Sequence, residues 1–219
     1  MYLPPPEPNV PKPAWFLGLD LAQRQDFTTL ALLNLGWRKV EQDRATWEWI
    51  RKPEITLCAL DRYPQGDSYL AYCNIVERRI DQIRAAEPLS TIHLVIDSSG
   101  PGAPIVEEFD RSGLKIDINP ITMTGGHDVT ANKHAGQNVP RRNLITKLIL
   151  LLEHGSFKAV PGIPNLDDFQ NEMLGLRAND TATGATALAA WQAIETTPEL
   201  LPTRQRRRVY IAAGTRRLL

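Results

Sequence analysis

The sequence predicts an α/β domain built on a mixed five-stranded sheet, three antiparallel strands followed by two parallel ones, flanked by helices. Two observations carry this. Apolar runs of strand length crowd the first third of the chain and then alternate with segments of helical period. The composition, 42% hydrophobic and 23% charged over 219 residues, is that of a globular chain able to bury a core of its own.

The elements follow in order. Residues 1–13, "MYLPPPEPNVPKP", form a proline-rich arm that pairs poorly in a sheet. Trp15–Leu21 is a buried strand, and Phe27–Leu35 follows a short polar turn as its antiparallel partner. Strand-like sequence at Trp47–Ile50 and Thr56–Asp61 completes a three-stranded meander. Between Ser68 and Ala86 the period becomes helical, with Leu70, Cys73, Val76, Ile80 and Ile83 on one face. A strand at Ile92–Ile96, a helix from Ala103 to Ser112 and a strand at Lys115–Ile121 come next, then a polar loop from Thr122 to Pro140. "PRRNLITKLILLLEHG" is a helix entered by proline and left by glycine. Two more helices run from Asn165 to Leu176 and, rich in alanine, from Thr181 to Glu195. The domain spans 14–196, and residues 197–219 form a tail that gathers Arg204, Arg206, Arg207, Arg208, Arg216 and Arg217.

Two apolar runs end on a carboxylate: "FLGLDLAQRQDFTTLALL" on Asp20 and "IHLVIDSSGPGAPIVEEF" on Asp97. Lying side by side, such strands would present both carboxylates to one divalent cation, and oxygen-ligated Mg²⁺ is the ion that phosphodiester chemistry uses. Each aspartate also has a plainer reading. Asp20 can simply end a strand, Asp97 can form an Asx turn before "SSGPG", and Asp180 can be the N-cap of the helix that starts at Thr181.

Other functions are disfavoured. The formal net charge is zero, so the chain as a whole does not advertise a polyanion partner. The two cysteines, Cys58 and Cys73, have neither zinc nor disulfide spacing and read as reduced thiols. Four histidines without a metal-binding pattern make no zinc site, and His127 and His134 read as solvated loop residues. No signal peptide or membrane-length apolar run is visible, which leads us to expect a cytoplasmic protein without a membrane partner. "SSGPG" could face an anion through its backbone, but the lysine of a Walker A loop is missing throughout.

Four segments in this order carry a resemblance: "GLDLAQRQDFTTLALL", "VIDSSGPGAPIVEEF", "VPRRNLITKLILLLEHGSF" and "LDDFQNEMLGLRAND" leading into "ALAAW". Over residues 14–196 the chain resembles the ribonuclease H-like superfamily, and more narrowly the nuclease domain of the large subunit of phage terminases. The resemblance implies that the first and fourth strands are parallel neighbours, so that Asp20 and Asp97 form one site with Asp180 as third acid. It implies a metal-dependent endonuclease cutting double-stranded DNA, with Asp20 bridging two Mg²⁺ or Mn²⁺ ions and Asp97 and Asp180 completing the site. Asp26 would be an outer ligand or a turn-closing residue. Lys133, Arg141 and Arg142 are candidate contacts to the DNA backbone, and Asp167 and Asp168 read as first-turn residues complementing a helix dipole.

The implied setting is viral DNA packaging by a phage or prophage protein in a bacterial cell. Its partners would be a separate packaging ATPase, a small terminase subunit or a portal. Met1 and the proline arm favour a separate short protein. The chain departs from the family at "RANDTATGATALAAW", where Asn179 stands in place of an acid. That departure supports a rival reading, a catalytically weak docking or DNA-binding module of the same fold. An actin-like sugar kinase or ATPase is a second rival, disfavoured because the duplicated domain such enzymes need does not fit this length.

Overall fold

A computed structural model describes residues 12–21, 27–64, 68–99, 102–132, 136–175 and 180–201. The strands are β1 (Ala14–Asp20), β2 (Thr28–Gln42), β3 (Trp49–Tyr63), β4 (Thr91–Asp97), β5 (Asp117–Thr124), β6 (Thr130–Ala131), β7 (Gln137–Pro140) and β8 (Phe157–Ala159). The helices are α1 (Tyr69–Ala86), α2 (Gly102–Ser112), α3 (Arg141–Glu153), α4 (Leu166–Gly175) and α5 (Thr181–Thr196), followed by a short 3-10 turn at Pro198–Leu200.

One sheet runs β6-β7-β5-β4-β1-β2-β3-β8. Its centre, β5-β4-β1-β2-β3, holds the expected strands: β1, β2 and β3 pair antiparallel, and β4 lies parallel to both β1 and β5. The sheet has eight strands rather than five. The loop expected at Thr122–Pro140 contains β6 and β7, and β8 adds to the free edge of β3. These additions are two to four residues long. They are too short to show a period and exist by pairing with an edge already present.

Two further details differ from expectation. The strand segments at 47–50 and 56–61 fuse into the single strand β3, and Trp47 sits instead in the β2–β3 turn with a positive φ of 61°. On α1, Leu70 is 57% exposed, while Tyr72 joins Cys73, Val76, Ile80 and Ile83 in the buried face. Leu200 is buried in the main core, so packing continues past residue 196.

The period of two along β1 sorts its side chains between two cores. Leu17, Leu19 and Leu21 join α1, α2 and the Ile92, Leu94 and Ile96 side of β4. Ala14 and Phe16 join α3, α4 and α5. Gly18 lies on this second face, where α5 crosses β1 so closely that an added Cβ would collide with the Ala185 carbonyl oxygen and lie 3.0 Å from the Ala189 nitrogen. Small residues over most of α5, "TATGATALAA", permit that approach and leave the helix buried on all sides through its first ten positions.

Gly18→Ala is therefore an overpacking change against backbone, which cannot rotate away. It is expected to lower stability by about 1–3 kcal/mol in a denaturant titration; an unchanged midpoint would show that α5 does not sit this close to β1.

Candidate metal centre

Asp20 and Asp97 end neighbouring parallel strands. The β1–β4 register pairs Leu19 with Ile96, which makes Asp20 and Asp97 the next rung at the carboxyl ends. Counting by twos from Phe16 and Val95, both in the α5-side core, puts both carboxylates on the α5 face of the sheet. Each is 6% exposed. The register thus joins the two apolar runs into one acidic pair.

The first turn of α5 covers Asp20. Gly184 stands against it so closely that an added Cβ would collide with the Asp20 Oδ2 atom. Beside it, the Thr29 hydroxyl, on the β2 residue opposite Asp20, donates to Thr181 Oγ1 at 2.9 Å and ties β2 to the start of α5. The helix is therefore docked onto the strand end that carries the carboxylate.

Asp97 is fixed by its own turn. The Ser99 backbone N–H donates to Asp97 Oδ1 at 2.9 Å, an Asx-type bond. The Met123 N–H donates to Ser99 Oγ at 3.0 Å, and the Ser98 and Thr122 hydroxyls lie 2.9 Å apart, so the turn is stitched to β5. Burial holds the Asp97 carboxyl above the usual carboxylate range, opposed by hydrogen bonds from Ser99 and the Met123 backbone and by the Arg141 charge.

Arg141 opens α3 directly after β7. Its guanidinium donates to the Asp180 carbonyl oxygen at 3.2 Å and approaches the Met123 sulfur at 3.7 Å. This residue, picked from sequence as a surface contact, is half-buried between the ends of β5 and α5 and interacts electrostatically with Asp97. Arg142 is exposed and donates to the His127 carbonyl at 3.3 Å. Asp26, Lys133 and His134 lie outside the described residues.

Asp180 occupies the N-cap position of α5, yet its side chain makes no capping hydrogen bond. The Thr183 N–H donates instead to Glu172 Oε2 on α4, at 2.8 Å. Sequence reasoning passed over Glu172, because an interior helix acid reads as solvated until a second helix packs over it. Burial raises the Glu172 carboxyl, and the Asp180 charge acts in the same direction against the Thr183 N–H and Arg62. Asp167 and Asp168 do lie in the first turn of α4, and Asp168 pairs with Arg62 at 2.7 Å. Cys73 is buried, its thiol pushed up to about 11 by burial and the nearby Glu108 and Glu77, so it is not a poised nucleophile.

The oxygen donors fit a hard divalent cation, since two buried carboxylates stand together on one sheet end. Among the described residues no three His, Cys, Asp or Glu side chains close on a single point. A cation there would complete its shell with water and substrate oxygens, as Mg²⁺ commonly does.

Solved structures share this architecture. The human cytomegalovirus terminase nuclease domain, Mn-soaked, superposes with a TM-score of 0.52 at 11% identity, covering 87% of this chain and 86% of that one. The nuclease domain of g2p, the large terminase of bacteriophage SPP1, with bound Mn, gives a TM-score of 0.48 at 14% identity over 82% and 86%. No protein-family model and no curated protein matches the chain. The fold is that of the cytomegalovirus terminase nuclease domain, a mixed sheet flanked by helices.

Asp97 gives a pH signature. Its folded pKa lies above the unfolded value of 3.8, so its contribution to stability is fully present below that value and lost as pH rises through the folded pKa. Asp97→Asn keeps an acceptor for the Ser99 N–H and removes the buried charge. In metal-free buffer at pH 7 it is expected to melt higher than the parent; a lower melting temperature would show that the charge is already compensated within the protein.

Proposed function

We propose that the chain is a metal-dependent DNA endonuclease of the terminase type, hydrolysing phosphodiester bonds in viral DNA packaging. The observation that carries this reading is the pair Asp20 and Asp97, buried at adjoining parallel strand ends, with Asp20 under the first turn of α5. Both carboxylates would hold divalent ions, Mg²⁺ or Mn²⁺, with Asp180 as third acid at the start of α5. Such ions, when bound, lower the pKa of an attacking water and stabilise the leaving oxygen of an in-line displacement.

The chain's own residues do the positioning. The Asx turn and its links to β5 hold Asp97 still, and the Gly184 contact holds Asp20. Arg141 supplies a fixed positive charge beside the acids, placed to balance them before substrate arrives and to attract a phosphate afterwards. Arg142, Lys133 and the arginine-rich tail would hold the DNA backbone without reading sequence. Asp26 would act as an outer ligand. A separate packaging ATPase, a small terminase subunit or a portal would be the protein partners. Among the described residues no helix is long and apolar enough to cross a membrane.

One observation favours a second reading, a docking or DNA-binding module of weak or no activity. Asn179 stands where the family resemblance implies an acid, and no three acids converge among the described residues.

Nicking of supercoiled plasmid in Mn²⁺ separates the two. The parent is expected to nick, chelation by EDTA to abolish nicking, and Asp20→Asn to lower the rate by about 100-fold or more, with a smaller loss for Asp180→Asn. No nicking by the parent with any divalent metal supports the docking module, and full activity of Asp180→Asn removes that residue from the site.

A further inference from the structure

A helix normally takes its N-cap from its own chain: the side chain at the N-cap position accepts the N–H of the second or third helical residue. Asp180 stands at that position on α5 and does not do so. The third-residue N–H, that of Thr183, is held by Glu172 Oε2 at 2.8 Å, from a neighbouring helix. Aspartate is among the best capping residues, so an aspartate left out of the cap of its own helix calls for a cause.

The rest of Glu172 is also engaged. Its Oε1 lies 3.7 Å from Arg62 Nη2 on β3, and Arg62 Nη1 is bonded to Asp168 at the start of α4. The Phe27 ring lies over the same guanidinium, 4.6 Å away. The side chains of Glu172 and Arg62 are only 13% and 19% exposed. Together they clamp β3, α4 and the first turn of α5. The next residue after the clamped Thr183 is Gly184, which touches Asp20, and three residues before it lies Asp180.

We propose that Glu172 is a positioning residue of the metal centre: it caps α5 in place of Asp180, keeping that carboxylate off its own helix and holding Gly184 against Asp20. This rests on the nuclease reading for its purpose, but not for its geometry. A capping Asp180 would spend a carboxylate oxygen on the Thr183 N–H, in competition with a cation. With the cap supplied by α4, the first turn keeps a hydrogen-bonded N–H and a favourable negative charge at its positive end.

Glu172→Gln and Glu172→Ala distinguish this role from others. The glutamine retains an oxygen for the Thr183 N–H, whereas alanine has none. Two readouts are compared on the full chain, amide hydrogen exchange across residues 180–184 and the Mn²⁺ concentration for half-maximal plasmid nicking. Glu172→Gln is expected to match the parent in both. Glu172→Ala is expected to exchange faster there and to need about tenfold more Mn²⁺, with most of its rate recovered at saturating metal.

Equal loss in both variants would make Glu172 a direct ligand and overturn the positioning role, as would an unchanged Glu172→Ala. Should Glu172→Ala fail to fold, loss of Mn²⁺ response in a folded Glu172→Gln would still refute the proposal, and a normal response would support it. A parent protein that neither nicks nor shifts its melting temperature with Mn²⁺ refutes the nuclease reading itself, and the exchange comparison then reports separately on whether Glu172 caps α5.

Discussion

The close approach of α5 to β1 is the constraint on which the rest of the structure depends. A helix buried all round, with alanine, glycine and threonine at nine of its first ten positions, can lie against a strand only where side chains are nearly absent. Gly18 provides that on the strand, and Gly184 provides it on the helix where Asp20 must fit. Lifting α5 by the width of a methyl group would open the core and move the helix start off the Asp20 carboxylate. The packing that stabilises the domain and the geometry of the acidic pair are thus one contact.

That contact has an electrostatic cost. Two carboxylates buried on adjacent strand ends lose hydration, and burial raises the Asp97 carboxyl above its ordinary value. The fold offsets this in part with the Ser99 turn and with Arg141 at the mouth of α3. On the proposed reading, the pair serves as a cation site at some cost in stability.

Much of this was legible in the sequence. The Asp20 and Asp97 strands could be read because each is an apolar run closed by a single acid, and their pairing follows once β1 and β4 are parallel neighbours. The helices could be read from their period, apart from the first turn of α1, where Leu70 is exposed and Tyr72 buried. β7 and β8 could not, since "QNVP" and "FKA" have no period and become strands only by edge pairing. The place of Arg141 beyond a candidate contact to the DNA backbone, and that of Glu172, were illegible for a related reason. Their roles depend on bonds to Asp180 and Thr183, 39 and 11 residues away, formed only when helices dock. A charged residue in a helix reads as solvated until something covers it.

The central claim is that Asp20 and Asp97 hold a divalent ion in common. Anomalous diffraction from crystals soaked in Mn²⁺ tests it most directly. The account predicts an anomalous peak at coordination distance from carboxylate oxygens of both residues, on the α5 face of the sheet. Peaks confined to other positions, or an empty pair at saturating Mn²⁺, would contradict it.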